Sequence, residues 1–249
     1  RFKKIIMNEY ENFLESKRHS IGNFGFDANF IPDCAFDFQK FVIEKAILKG
    51  RSAIFLDTGL GKTLIQLSIA YNIARHTNKR VLIITPLAVG FQFIKEAIER
   101  NITDDIEISK DGKFTKKIVI CNYERLHYFN ENDFEGIVLD ESSILKNFDG
   151  KIKQEVTSFV KKIPYRFLST ATPSPNDFIE LGTSSEALGY MGYMDMLGKF
   201  FKNNQNSVDS NNRNIGEKFY LKPHAEKDFF AWVNQWSIMA KMPSDLGFS

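Results

Sequence analysis

Short runs of consecutive apolar residues recur through the middle of the chain and alternate with longer stretches of helical periodicity. The runs are residues 52–56 (SAIFL), 80–85 (RVLIIT), 117–121 (KIVIC), 136–140 (GIVLD) and 165–169 (YRFLS). Continuous rather than alternating hydrophobicity is typical of strands whose sheet is covered by helices on both faces. The pattern therefore predicts an α/β fold with three layers and a central, mostly parallel sheet.

The stretches between the runs predict helices that pack on this sheet. Residues 61–76 and 89–100 place apolar side chains at helical spacing. The inward positions are Leu64, Leu67, Ala70, Ile73 or Ala74, and then Phe93, Ile94 and Ile98.

Both ends of the chain depart from the alternation. Residues 1–50 predict N-terminal helices, with glycine and proline at 21–33 separating a polar helix from a second one at about 36–48. Residues 202–217 are rich in Asn and Ser and predict a long exposed loop. Residues 225–241 predict a C-terminal helical appendage whose apolar stripe packs on the body. The stripe consists of Phe229, Trp232 or Val233, Trp236 and Ala240.

Composition narrows the class of protein. No stretch of about 18 uncharged apolar residues occurs, which excludes a membrane span. The 33 basic and 31 acidic residues leave a net charge of +2, so overall charge neither favours nor excludes a nucleic-acid partner. Two cysteines and no secretory signal at the start favour a reducing compartment, and we expect a cytoplasmic protein.

The strongest chemical signal is FLDTGLGKT at residues 55–63, directly after a predicted strand and before a predicted helix. This context is the one that a phosphate-binding P-loop requires. Its glycines let successive amides face the phosphates, Lys62 reaches the terminal phosphates, and the Thr63 hydroxyl ligates magnesium. The nucleotide-contacting residues are predicted to be Thr58, Gly59, Leu60, Gly61, Lys62, Thr63 and Leu64. Leu56 stands where the motif normally begins with glycine.

A second signal lies at the end of the fourth apolar run, where residues 137–143 read IVLDESS. Two acids at the end of a buried strand are costly unless a cation or a reaction uses them. Asp140 suits the magnesium shell, and Glu141 suits deprotonation of an attacking water. Lys62, Asp140 and Glu141 are therefore the predicted catalytic residues, with Thr63 and Asp140 holding the metal.

The order of these motifs resembles superfamily-two helicases, and within them the Swi/Snf-type translocases. The matching segments run from about residue 36 to residue 177 and are AFDFQKF, DTGLGKT, ITPLAVGFQF, CNYERL, LDESSILKN and LSTATPSPND. The later segments IELGT and PSDLG further resemble phage and prophage helicase-like proteins. Six motifs in the right order are far more specific than any one of them.

The resemblance implies a RecA-like ATP-binding lobe that uses ATP and Mg²⁺. Gln39 would read the adenine edge. Thr85 and Pro86 would lie near the backbone of a bound strand, while Thr170, Thr172 and Asn176 would couple the phosphate site to nucleic acid. Ser143 replaces the family's usual His or Asp, so coupling between its motif and the TATP motif is expected to be weaker or routed through water.

The resemblance also implies partners. Motors of this class hydrolyse ATP between two RecA-like lobes. The predicted domains are therefore a helical preface with the adenine-reading segment (1–50), lobe 1 (51–200), and a loop and aromatic helix leading to an absent second lobe (201–249). The segment LKN at 145–147 favours double-stranded DNA, and a nuclease or methylase partner is compatible with the pattern. An RNA helicase lobe, another P-loop ATPase, or a nucleotide-responsive binding module without turnover are the alternatives.

Overall fold

The computed structural model describes residues 24–143, 150–173, 178–203 and 219–248. Within these ranges, seven strands form one parallel sheet in the order β3-β4-β2-β5-β6-β1-β9, and β7 and β8 form a separate antiparallel pair. The strands are β1 (Arg51–Leu56), β2 (Arg80–Ile84), β3 (Ile106–Ile108), β4 (Ile118–Cys121), β5 (Phe134–Leu139), β6 (Tyr165–Thr170), β7 (Phe201–Asn203), β8 (Phe219–Leu221) and β9 (Ser237–Ala240). The helices are α1 (Asp37–Lys49), α2 (Lys62–Thr77), α3 (Gly90–Glu99), α4 (Gly150–Lys162), α5 (Leu181–Leu188), α6 (Tyr193–Phe200) and α7 (Glu226–Trp236).

The predicted α/β class is confirmed, because the sheet carries a helical layer on each face. Alternate residues of β1 show this division: Ile54 packs with the core under α1, α2 and α3, whereas Phe55 packs with the core under α4 to α7. All five predicted strands are present, and the helices predicted at 36–48, 61–76 and 89–100 correspond to α1, α2 and α3. Strands β3, β7 and β8 and helices α4, α5 and α6 were not individually predicted.

The prediction of a single helix at 225–241 is wrong after Trp236. Helix α7 ends there, Ser237 has an extended backbone (φ −117°, ψ 161°), and β9 pairs in parallel with β1, with Ile54 opposite Ile238. The hydrogen bonds offered by the free edge of β1 decide this, and they are not visible in a local pattern. The aromatic stripe does pack on the body, since the side chains of Phe229 and Trp236 are fully buried.

Other predictions for the chain ends reach outside the described residues. The polar helix predicted before residue 21 lies there, as does most of the loop predicted at 202–217. Lys202 and Asn203 of that predicted loop instead belong to β7, paired with β8. The proposed domain boundaries stay predictions, although β9 joins the same sheet as β1. In the described part of the chain, no helix has both the length and the apolarity needed to cross a bilayer.

Parallel strands bring all their carboxyl ends to one edge of the sheet. The segments after β1, β2, β5 and β6 therefore meet at that edge, which is where ligands bind in open α/β sheets. These four segments contain the P-loop and most of the other candidate residues of the sequence.

Candidate functional site

The P-loop connects β1 to α2 and turns through two glycines. Gly59 (φ 83°) and Gly61 (φ 73°) both have left-handed backbones, and Gly61 is the N-cap of α2. The Lys62 ammonium donates to the carbonyl oxygens of Leu56 (3.1 Å) and Asp57 (3.0 Å). Leu56 is the last residue of β1 and its side chain is fully buried in the sheet. The missing first glycine is thus a strand position, and the turn depends on Gly59 and Gly61.

Gln39 lies against the P-loop, although 21 residues separate it from Leu60 in sequence. Its amide nitrogen donates to the Leu60 carbonyl (3.1 Å), and its amide oxygen accepts from the Phe36 amide at the start of α1 (2.9 Å). A Cβ atom at position 61 would lie 2.3 Å from the Gln39 nitrogen, so this contact also requires Gly61. The structure places Gln39 against the P-loop, and its reading of adenine stays a prediction.

Asp140 follows β5 and is held from three sides. One carboxylate oxygen accepts from the Gln66 amide (2.8 Å) and the other from the Thr85 hydroxyl (3.1 Å), while its backbone carbonyl accepts from the Tyr123 hydroxyl (2.8 Å). Burial raises the pKa of Asp140, and the hydrogen bonds from Gln66 and Thr85 oppose that rise. The carboxylate is therefore pre-oriented at the carboxyl edge of the sheet.

Gln66 is a site residue that the sequence reasoning missed. It is fully buried on α2, four residues after Lys62, and also donates to the Ser169 hydroxyl of β6 (3.1 Å). Its amide oxygen has no hydrogen-bond partner within the part of the chain that the structure describes. The available signal was a glutamine on the apolar face of a helix, where a polar side chain needs partners.

Glu141 adopts a left-handed backbone (φ 49°), an uncommon conformation for a residue with a side chain. Such outliers concentrate at functional sites. One of its carboxylate oxygens accepts from the Thr170 hydroxyl at the end of β6 (2.8 Å), and the Ser143 hydroxyl donates to the same oxygen. The Thr172 amide in turn donates to the Thr170 hydroxyl (3.0 Å).

This network shows a direct link between the two motifs, and the weaker coupling expected from Ser143 stays a prediction. The two motifs are joined by a direct hydrogen bond between Glu141 and Thr170, without an intervening water. The Ser143 hydroxyl adds a second donor to the Glu141 carboxylate. The connection between motifs therefore runs through the glutamate itself.

The remaining predicted residues divide by position. Thr85 is almost fully buried with its hydroxyl on Asp140, so its side chain lies at the predicted metal site, followed by Pro86 at the same edge. Its nucleic-acid role stays a prediction. Thr63 is half-buried in the first turn of α2, and Leu64 points into the core. Asn176, and the LKN segment at 145–147, lie outside the described residues.

The oxygen ligands at this edge fit magnesium. Mg²⁺ at nucleotide sites is held by one or two protein oxygens, with water and phosphate oxygens completing its shell. The Asp140 carboxylate and the Thr63 hydroxyl supply such a pair. No group of three acidic, His or Cys side chains that could hold a metal alone exists among the residues described, and the metal-binding role of Asp140 and Thr63 stays a prediction.

Comparison with known proteins gives a family and several similar folds. The sequence model of the DEAD/DEAH box helicase family matches residues 36–180. No curated protein sequence matches the chain. The Sulfolobus solfataricus SWI2/SNF2 ATPase core in complex with dsDNA is similar in fold, with 19% identity and a TM-score of 0.61 over 87% of this chain and 46% of the solved one.

Two further solved structures share the fold. The Sulfolobus solfataricus SWI2/SNF2 ATPase core domain gives 19% identity and a TM-score of 0.59, covering 88% of this chain and 45% of that one. The UvsW helicase of bacteriophage T4 gives 15% identity and a TM-score of 0.52, covering 60% and 57%. The chain thus spans about half the length of the SWI2/SNF2 cores that it resembles.

Proposed function

Because the chain belongs to the DEAD/DEAH box helicase family, we propose that it is the ATP-binding lobe of a motor that couples ATP hydrolysis to movement along double-stranded DNA. The coarser statement, a superfamily-two helicase lobe of RecA-like fold, follows from the family match and the sheet topology. The nucleic-acid substrate, the coupling of ATP hydrolysis to movement, and the partners of the motor belong to the proposal.

The observation that supports this function best is the hydrogen bond between Glu141 and Thr170. It connects the carboxylate suited to activating water with the segment that, by family resemblance, senses nucleic acid. A change in the backbone after β6 therefore moves a donor on the catalytic carboxylate. A nucleotide-binding module without turnover has no need of that connection.

The site residues have separate roles in this proposal. Lys62 exchanges its two carbonyl acceptors for phosphate oxygens, and the amides around Gly59 and Gly61 donate to the same group. Asp140 and Thr63 hold Mg²⁺, which when bound offsets the negative charge of the phosphates. Glu141 orients the attacking water and accepts its proton.

Several features support duplex DNA over RNA. The segment LKN resembles Swi/Snf-type translocases, and the first of the similar structures is an ATPase core in complex with dsDNA. An RNA helicase lobe is the second candidate, because family members contact nucleic acid mainly through the backbone. A second RecA-like lobe completes the proposed active site, with arginine fingers for the transferred phosphoryl group. A nuclease or methylase partner and a cytoplasmic location stay predictions.

The test is ATP hydrolysis by a longer protein that carries this lobe and a second one. We expect duplex DNA to stimulate phosphate release more than RNA of equal length, and Lys62→Ala to abolish both the basal and the stimulated rate. Lys79→Ala, at the opposite edge of the sheet, serves as the charge control. Equal stimulation by RNA would favour the RNA lobe, and binding of ATP with no turnover would favour the binding module.

A further inference from the structure

A polar cleft of about 410 Å³ lies on the sheet face opposite α1 to α3, between α4 and the pair α5 and α6. The catalytic network does not use it. Lys153, Thr157 and Lys161 line it from α4, where a spacing of four residues places them on one helical face. Thr183 of α5 contributes from the other wall. The cleft thus presents a row of cations and hydroxyls.

Two of these residues are largely buried, but their hydroxyls open onto the cleft. Thr157 is 9% exposed and Thr183 is 6% exposed, and both line the cleft. Throughout the described ranges, neither side chain has a hydrogen bond to another protein group. Neither hydroxyl oxygen is one of the fully buried polar atoms without a partner in the described residues, so both are accessible and can donate to acceptor oxygens of a ligand in the cleft.

The charged side chains of the cleft favour an anionic ligand. The Lys161 ammonium lies 3.6 Å from the Glu186 carboxylate, whose other oxygen accepts from the Tyr193 amide (3.2 Å). Those two charges offset each other. The Lys153 ammonium lies 5.6 Å from the centroid of the Tyr193 ring, and among the described residues no carboxylate pairs with it. The Lys153 end of the cleft therefore combines an uncompensated cation with two hydroxyl donors.

We propose that the Lys153 end of this cleft binds a phosphate group of the nucleic-acid backbone, as a contact separate from the motif-bearing edge. Lys and Thr side chains are typical donors to backbone phosphates. Gln154 and Ser158, on the outer side of α4, are exposed, so the cleft is open to a continuous strand. Helix α4 follows the segment of Asp140 and Glu141, and α5 follows the TATP segment, which places this contact next to the coupling network. The inference rests on the proposed function.

The experiment measures binding of a fluorescein-labelled duplex to the 249-residue chain by anisotropy, at several KCl concentrations. Lys153→Gln is expected to weaken binding about three- to tenfold and to reduce the salt slope by about one. The double variant Thr157→Val, Thr183→Val removes both hydroxyls at nearly constant volume, and it is expected to weaken binding without changing the slope. Lys79→Gln, the same charge change at the opposite sheet edge, is expected to match the wild type.

A second arm separates backbone phosphate from free phosphate. Inorganic phosphate is titrated while the methyl resonances of Thr157 and Thr183 are followed by NMR, with thermal melting confirming that each variant is folded. If the wild type binds duplex and the cleft variants bind equally well with the same slope, the inference is overturned, even when free phosphate shifts the methyl resonances. If the wild-type chain shows no salt-dependent duplex binding, the inference is overturned as well, whereas the proposed function fails only if duplex DNA does not stimulate ATP hydrolysis by a protein that carries both lobes.

Discussion

At the scale of single residues, the site is defined by a few hydrogen bonds that converge on two carboxylates. The Asp140 carboxylate accepts hydrogen bonds from Gln66 and Thr85. The Glu141 carboxylate accepts hydrogen bonds from Thr170 and Ser143. Asp140 is thus fixed by donors from α2 and from the end of β2, and Glu141 by one donor from the end of β6 and one two residues further along the chain. Fixing both before a nucleotide arrives reduces the reorganisation that the reaction requires.

Replacing Glu141 by Gln should separate ATP binding from hydrolysis. The amide has the shape of the carboxylate and can still accept from the Thr170 hydroxyl, but it cannot take a proton from water. We expect the nucleotide affinity to stay near the wild-type value and hydrolysis to slow by about 10²–10⁴-fold in a protein that carries both lobes. Single-turnover kinetics measure the rate, and unchanged turnover would assign the base to another residue.

The Gln66 side chain should matter for the metal-bound nucleotide. Gln66→Leu removes the donor that orients the Asp140 carboxylate, and loss of such a supporting contact typically lowers metal affinity about 10–100-fold. Calorimetry with MgATP should show this loss, while binding of ATP in EDTA should be nearly unchanged. Ser68→Ala on the same helix removes a buried hydroxyl that bonds to the Leu64 carbonyl, away from the site, and is the matched control. Equal losses in both variants would reduce Gln66 to a packing role.

Asp140 is expected to lower the stability of the nucleotide-free protein. Its folded pKa is raised by burial, so the folded state binds this proton more tightly than the unfolded state does. Stability from this group is therefore present below the ordinary pKa of 3.8 and is lost as pH rises through the raised folded value. At neutral pH, Asp140→Asn should raise the melting temperature without nucleotide and abolish the stabilisation that MgATP gives. A lower melting temperature in the variant would show that the charge is well compensated.

At the scale of elements, helix α7 and strand β9 act as one unit: α7 packs on one face of the sheet and β9 forms its edge strand beside β1. Trp236, the last residue of α7, is fully buried and meets Phe55 of β1 edge to face, with ring centroids 6.1 Å apart. The next residues pair with the same strand through β9. The aromatic helix thus belongs to the core of the lobe.

Truncating Trp236 should be far more damaging than truncating its exposed neighbour. We expect Trp236→Ala to destabilise the lobe by about 3–5 kcal/mol, the usual cost of emptying a buried aromatic position. Phe230→Ala on the same helix removes a ring that is 37% exposed, and should cost about 1 kcal/mol or less. Urea unfolding followed by tryptophan fluorescence for Phe230→Ala, and by circular dichroism for both, gives the comparison. Similar midpoints for the two variants would contradict the packing described here.

At the scale of the whole molecule, the described residues contain one seven-stranded sheet with the candidate catalytic residues at a single edge. The arginines that a two-lobed motor brings to the phosphates are a property of the proposed second lobe. An arginine finger contributes about 10³–10⁵ in rate in P-loop systems. The edge of this lobe alone therefore supplies only part of the proposed chemistry.

The 249-residue chain by itself should bind ATP weakly and hydrolyse it negligibly, with or without duplex DNA. Its affinity for DNA should also be lower than that of a two-lobed protein, because two linked sites reinforce each other through effective concentration. A phosphate-release assay beside a two-lobed protein measures both effects. Strong DNA-stimulated turnover by the chain alone would contradict the two-lobe proposal and direct attention to an arginine within it.

The sequence alone determined the parts of this protein that depend on local pattern and short spacing. Five buried strands follow from continuous apolar runs, and the P-loop and the acids Asp140 and Glu141 follow from residues that are neighbours in the chain. Each of these features depends on a stretch of about ten consecutive residues. A stretch of that length contains the residue preferences that identify strands, turns and the first turns of helices.

Only the tertiary structure decided which distant groups meet. Residues 237–240 form a strand because the edge of β1 offers hydrogen bonds, and Gln66 reaches Asp140 because α2 packs beside β5. The direct contact of Glu141 with Thr170 arises because β5 and β6 are adjacent in the sheet. These pairings depend on strand order and helix packing, which are set by the whole core and not by any local stretch of sequence.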